Sequence, residues 1–282
     1  MSNPLLFHER TQRQIDNLVK QLPQSLIIEG ASGSGVMATA AHLIANIKAE
    51  VLIIKPKKLK NNQPIVDEQE GSIIIQDIRQ LYEQTRTKSS KQQVIILDTG
   101  ERSITTGAQN AFLKLLEEPR PGVHFIIATH RPSELLPTVR SRSQLLHILP
   151  LQSVQSNALI DTLGVTDTSK RARLAFIGRG LPALITRLAQ DDALYEARVA
   201  IVLDAKQLVG GIGYAAYPVA HSYRDKRPEA LLLLEDVCQQ LRVILRTQPD
   251  ARYATKMAKC LDAHERIASG GNIRLQLAHA ML

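Results

Sequence analysis

The chain of 282 residues contains no tryptophan, and aromatic residues of all kinds make up only 4% of it. Proteins that hold single-stranded nucleic acid without sequence preference stack its bases on aromatic side chains. A base-stacking platform is therefore excluded as the main task of this sequence. Cysteine is scarce as well: Cys238 and Cys260 are the two, 22 positions apart. Two thiols at that spacing do not make a zinc ligand set, and no metal site is expected. A disulfide between them is disfavoured in a reducing compartment, so they read as two half-buried thiols in a helical region. No apolar run reaches the roughly 18 residues that cross a bilayer. Met1 to Arg10 lacks a basic stretch followed by an apolar one, so no secretion signal is read there and the cytoplasm is the expected compartment.

What the chain does have is ordinary globular chemistry with a basic surplus. Hydrophobic residues are 44% and charged residues 22%, with a formal net charge of +8. The length predicts two or three domains, each with a core of its own. A positive surplus points to an anionic partner, because Lys and Arg neutralising phosphates drive sequence-independent nucleic-acid binding.

Short β-rich runs alternate with amphipathic stretches through the first half. Leu26 to Ile28, Val51 to Ile54, Val94 to Leu97, Val123 to Ala128 and Leu145 to Leu149 read as strands. Helices are predicted from the glycine loop to Ile47, from Ile74 to Thr85 and from Ala108 to Leu116. Ile74, Ile75, Ile78, Leu81 and Tyr82 share one side of the second of these helices. Such alternation implies a parallel sheet covered on both faces, an α/β domain spanning 1–150. The run from Lys55 to Pro64, rich in Lys, Pro and Asn, reads as an exposed loop, solvated or touching phosphates. After Pro150 the strand signal stops. Helices are predicted at Val154 to Leu163, Ser169 to Ile177 and Ala183 to Ala189, broken at Gly178 to Pro182, giving a small helical domain at 151–192. The rest, 193–282, is helical, with a loop near Gly210 to Gly213. Its Leu231 to Leu245 helix is opened by Pro228, whose missing amide proton costs nothing in a first turn.

Gly30-Ala31-Ser32-Gly33-Ser34-Gly35-Val36-Met37 follows a strand and opens a helix. Glycines in that setting let backbone N–H groups curl round a phosphate. A working phosphate loop then needs a Lys for the β and γ phosphates and a Ser or Thr for magnesium. Val36 and Met37 hold those positions, and neither donates a hydrogen bond or binds a hard cation. A glycine-rich turn unrelated to nucleotides is the other reading of this segment. The strand from Val94 ends in Asp98, which is how phosphoryl-transfer enzymes place a magnesium-associated carboxylate. Thr99 follows it, where a water-activating acid would be needed. Glu101 is displaced from that position. The residues missing all belong to one site, which favours a retired catalytic centre.

Ala108-Gln109-Asn110-Ala111-Phe112-Leu113-Lys114-Leu115-Leu116-Glu117-Glu118-Pro119 is the most distinctive stretch. Periodicity accounts for a buried face of Ala108, Ala111, Phe112, Leu115 and Leu116, and for Pro119 as the stop. It leaves Gln-Asn and Glu-Glu-Pro unexplained. Together with Ile78-Arg79, the strand to Asp98 and Ser141-Arg142-Ser143, this stretch resembles the clamp-loader subunits of bacterial DNA polymerase III, the delta-prime and gamma/tau family. Gly178 to Pro182 is similar to the family's lid, and Gly271 to Leu277 to the end of its collar. The resemblance implies an AAA+ P-loop domain with a parallel sheet, then a helical lid, then an all-helical collar domain. It implies that Arg142 is an arginine finger acting on a neighbour's ATP. It places Thr129 at the family's nucleotide-sensing strand end and Ser143 where the family usually has Cys. The broken loop fits delta-prime better than gamma/tau. The implied partners are the gamma/tau ATPase and delta subunits, with the sliding clamp and primer-template DNA reached through the complex. No bound cofactor is expected, with weak or no ATP or ADP binding. An active ATPase with a divergent loop, and a free-standing basic DNA-binding protein, are the competing readings.

Overall fold

The computed structural model describes residues 5–60, 63–67, 71–86, 92–102, 104–210 and 217–281. Contacts divide the chain into two compact units, Met1–Gln190 and Asp191–Leu282.

In the first unit, β1 (Ser25–Glu29), β2 (Ala49–Ile54), β5 (Gln92–Gly100), β6 (Val123–Thr129) and β7 (Gln144–His147) form one sheet in the order β2-β5-β6-β1-β7. Its pairings are parallel, for example Ile27 opposite Ile127 and Ile95 opposite Phe125. Successive side chains of a strand point to opposite faces, and this sorts the apolar residues into two cores. Ile27, Ile95, Phe125 and Ile127 meet Ile78 and Leu81 of α3 (Ile75–Arg86) and Phe112 and Leu115 of α4 (Thr106–Glu117). Leu26, Ile28, Ile96 and Ile126 meet Ile15 and Leu18 of α1 (Glu9–Lys20) and Val36 and Leu43 of α2 (Val36–Ile44). A strand buried on both faces reads as a continuous apolar run, which is why Leu26 to Ile28 and Val94 to Leu97 were legible.

Several elements depart from the sequence reading. α1 had no predicted counterpart; its apolar signal is thin, with Thr11, Ile15 and Leu18 as its buried residues. The Thr11 hydroxyl donates to the His147 carbonyl at 3.3 Å and accepts from the Leu149 amide at 3.1 Å, fastening α1 to β7. α2 ends at Ile44 rather than Ile47. Tyr82 is exposed instead of sharing the buried side of α3. The segment expected as an exposed loop from Lys55 to Pro64 contains β3 (Lys57–Lys60), paired antiparallel with β4 (Gln63–Val66). One lysine of the run is neutralised, since Lys57 Nζ lies 2.7 Å from Asp77 Oδ1. Asn61 and Asn62 lie outside the described residues. A short α5 (Pro137–Arg140) precedes β7, and α6 (Ser153–Thr162), α7 (Thr168–Gly178) and α8 (Pro182–Gln190) follow it, close to their predicted spans.

The second unit is helical: α9 (Asp192–Gly210), α10 (Tyr217–Ser222), α11 (Arg227–Thr247), α12 (Ala251–Ala268) and α13 (Ile273–Met281). Pro228 does sit in the first turn of α11. Gly211 to Gly213 of the predicted loop lie outside the described residues, while Gly210 ends α9. Both cysteines are buried, not half-buried; they belong to the apolar core that α11 and α12 share. Asn272 caps α13, its Oδ1 accepting from the Leu275 amide at 3.0 Å. No helix among the described residues is long and apolar enough to cross a membrane.

One ion pair is built into this unit's interior. The Arg198 guanidinium of α9 donates to both Asp236 oxygens of α11, at 2.9 and 3.2 Å, and Asp236 is 1% exposed. Close by, Tyr223 donates to Asp204 Oδ2 at 2.6 Å, and burial together with that carboxylate pushes the Tyr223 hydroxyl pKa up. Breaking a buried pair strands the remaining charge, which costs more than the pair itself is worth. Arg198→Ala should therefore destabilise this unit by about 3–5 kcal/mol in urea denaturation, while the double change Arg198→Met with Asp236→Leu should recover most of that loss.

Candidate functional site

The C-terminal edge of the parallel sheet collects the glycine loop, the end of β5 and the end of β6, as such sheets do. Gly33 and Gly35 have φ of 83° and 87°, and Gly35 caps α2 in the left-handed conformation. These are angles at which a side chain is strained. The Gly33 carbonyl accepts from the Ala183 amide at 3.0 Å and the Leu184 amide at 3.1 Å. Those amides belong to the first turn of α8, where backbone N–H groups have no partner inside the helix. A methyl group on Gly33 would come within 2.8 Å of the Leu184 Cβ. The loop thus acts as a joint, bonded to the first turn of α8.

Val36 and Met37 are the first two residues of α2, directly after the glycine loop. Val36 is 2% exposed and packs with Leu26, Ile28 and Leu43, with Met37 against the same core. The Val36 position is apolar by packing as well as by sequence.

A 450 Å³ cavity adjoins the loop. Asp98, Thr99 and Glu101 line it from the end of β5, His130 from the end of β6, and Arg187 from α8. The pairing of β5 with β6 slips between Asp98 and Gly100. At that slip the Thr99 hydroxyl donates to the Ala128 carbonyl at 3.1 Å and is buried. A hydroxyl tied there is spent on the sheet. Exposed Glu101 lines the same cavity wall as Asp98. Thr129 is buried, and its Oγ1 accepts from the Arg131 amide at 3.0 Å. His130 Nδ1 lies 2.9 Å from the Gly30 carbonyl. A carbonyl only accepts, so Nδ1 carries the proton. His130 and Arg187 were not picked out in the sequence. Nothing marked His130 beyond its place after a strand, and Arg187 matters only because α8 folds over the loop.

Arg142 does not line that cavity. It follows α5 and is exposed, with a side-chain exposure of 38%. One guanidinium nitrogen lies 2.8 Å from Glu117 Oε1, and the other donates to the Thr138 carbonyl at 3.1 Å. The chain leading to it is held by Gln109. This buried amide donates to the Ile104 carbonyl at 2.8 Å and the Glu134 carbonyl at 2.9 Å, and accepts from the Leu136 amide at 2.6 Å. Two of these bonds tie α4 to the segment that carries Arg142, and the third holds the chain that leads into α4. α4 is itself seated by an edge-to-face contact of Phe112 with Phe125, centroids 5.2 Å apart. Ser143 lies with its Oγ 2.7 Å from Ser25 Oγ and donates to the Val139 carbonyl at 3.0 Å. Gln109 and Glu117, which helical periodicity left without a reason, thus find their reasons in tertiary contacts.

A family model described as "DNA polymerase III, delta subunit" matches residues 5–152, just over half of the chain. The chain is 25% identical over 235 residues to DNA polymerase III subunit delta' of Bacillus subtilis, covering 74% of this chain and 70% of that protein. It is 29% identical over 219 residues to the subunit delta' of Pseudomonas aeruginosa, covering 77% of this chain and 63% of that protein. Among solved structures it is similar to a DNA polymerase III gamma subunit-related protein of Thermotoga maritima, with a TM-score of 0.52, 18% identity and 97% of each chain covered. That likeness establishes a shared fold.

Two substitutions test the joints. Gly33→Ala should cost about 1–2 kcal/mol from the left-handed backbone alone, with the Leu184 clash added to it, read as a lower melting temperature. Gln109→Leu, which removes the partner of the buried Ile104 carbonyl and of the part-buried Glu134 and Leu136 backbone groups, should cost about 1–3 kcal/mol by the same measurement.

Proposed function

The chain belongs to the DNA polymerase III delta-subunit family, and on that premise we propose that it is a clamp-loader subunit that does not hydrolyse ATP itself and lends Arg142 to a neighbouring ATPase. In this reading 1–150 is a nucleotide-binding-like domain, 151–192 a lid and 193–282 a collar that joins a hetero-oligomer. The gamma/tau ATPase and delta subunits are its neighbours. The sliding clamp and primer-template DNA are engaged through the assembly, in the cytoplasm, and the charge of +8 suits work beside nucleic acid.

One observation carries the reading. Val36, at the position that needs a lysine, is a core residue at 2% exposure, while Arg142 stands at the surface. Losing the cation and the magnesium hydroxyl removes charge-assisted bonds of about 1.5–3 kcal/mol each, so ATP or ADP should bind weakly or not at all. Without an acid at Thr99 no water is activated by the usual route. Asp98 and Thr129 then remain as the strand-end frame of a site that has given up turnover. Arg142 is a different matter. A guanidinium laid against a γ-phosphate stabilises transition-state charge, and in other systems such fingers are worth about 10³–10⁵ in rate.

The competing reading, an ATPase with an unorthodox centre, draws on the shared cavity wall of Asp98 and Glu101. Turnover by the lone chain, abolished by Asp98→Asn, would establish it. Under the proposal the lone chain shows no turnover, and calorimetric titration with ATP detects no binding in the micromolar range. Assembled into a loader, Arg142→Ala should reduce DNA-stimulated hydrolysis by at least about tenfold at the one adjoining site. Full activity in that assembly would refute the finger role.

A further inference from the structure

We infer that Glu117 is a positioning residue for Arg142, holding its guanidinium in place at the surface until a phosphate of the neighbouring subunit's nucleotide takes over. The inference rests on the reading of Arg142 as an arginine finger.

An arginine side chain free in solvent samples many rotamers, and each must be given up when the guanidinium docks on a phosphate. Here two contacts have already narrowed them. The Thr138 carbonyl holds one terminal nitrogen at 3.1 Å and Glu117 Oε1 faces the other at 2.8 Å, which together fix the plane of the guanidinium. The two holds come from different elements, Thr138 from α5 and Glu117 from the last position of α4. Gln109 ties α4 to the chain before α5, so both holds belong to one frame.

The strength of the pair decides between positioning and locking. Glu117 is 50% exposed and Arg142 38% exposed, so water screens the pair. Exposed ion pairs of this kind are weak and yield easily. A triphosphate, with more charge and more acceptor oxygens, outcompetes a single carboxylate for the guanidinium. The Arg198–Asp236 pair, at 8% and 1% exposure, shows what a non-releasing pair looks like in the same chain. Glu117 also lines a 380 Å³ cavity with Lys114, Glu118 and Arg120, which leaves open space beside the carboxylate.

The test uses loaders assembled with wild-type, Glu117→Ala, Glu117→Gln or Arg142→Ala subunits, with DNA-stimulated hydrolysis measured over a range of ATP concentrations. Glu117→Ala should lower kcat about two- to fivefold with KM for ATP unchanged, the size expected from an exposed pair. Glu117→Gln keeps an acceptor oxygen and should recover most of that loss. The deficit should narrow as salt is raised, because the attraction is screened. The melting temperature of the lone subunit should not change with either variant, which a structural role would move. If Glu117→Ala turns over like wild type, or faster, while Arg142→Ala is impaired, the positioning role is overturned and the finger stands. If Arg142→Ala also turns over like wild type, the finger reading has failed and this inference with it.

Discussion

Parallel strands buried on both faces leave their polar backbone ends at the two edges of the sheet, and what happens at the C-terminal edge governs the first unit. Inside the sheet neighbouring strands pair in parallel register, and alternate side chains fill the cores over α1 and α2 and over α3 and α4. At the edge the ladder stops. Gly33 offers its carbonyl to the first turn of α8, Gly30 offers its own to His130, and Thr129 turns its hydroxyl to the next amide but one. These local bonds satisfy acceptors that the ladder leaves unpaired at the edge.

That arrangement gives Gly33 and Gly35 a structural role. A phosphate loop and a helix joint ask the same of Gly33 and Gly35, positive φ and a backbone close to a neighbour. They ask different things of the next two positions. A phosphate needs a cation and a hydroxyl, while a joint is improved by apolar side chains that bury, as Val36 does.

The two arginine–carboxylate pairs show how exposure assigns roles. Arg198 and Asp236 share two hydrogen bonds in the interior, where release of either partner strands a charge, so they fix the register of α9 against α11. Arg142 and Glu117 lie in solvent with a contact of 2.8 Å, comparable in length but far weaker in effect. An arginine that must change partners belongs in the second setting. The basic surplus of the chain acts on a longer scale, drawing the protein toward polyanions without specifying where.

Much of this was legible in the residues alone. Apolar runs such as Val94 to Leu97 marked the buried strands, because burial on both faces leaves no room for polar alternation. Val36, Met37 and Thr99 showed by their chemistry that these positions carry neither a cation nor an acid. Other features were set by contacts between residues far apart in the chain, which periodicity does not encode. The β3–β4 pairing arose where charge repulsion suggested a loop, since backbone hydrogen bonding overrides a polar sequence once Lys57 finds Asp77. Gln109 and Glu117 looked like arbitrary polar choices until folding brought Leu136 and Arg142 against them. The sequence by itself determined which functional groups the chain carries and where along it they fall, because a side chain's functional groups need no partner to be read. Only the tertiary structure decided what the remaining groups do, because a hydrogen bond or an ion pair exists only when the fold supplies its other half.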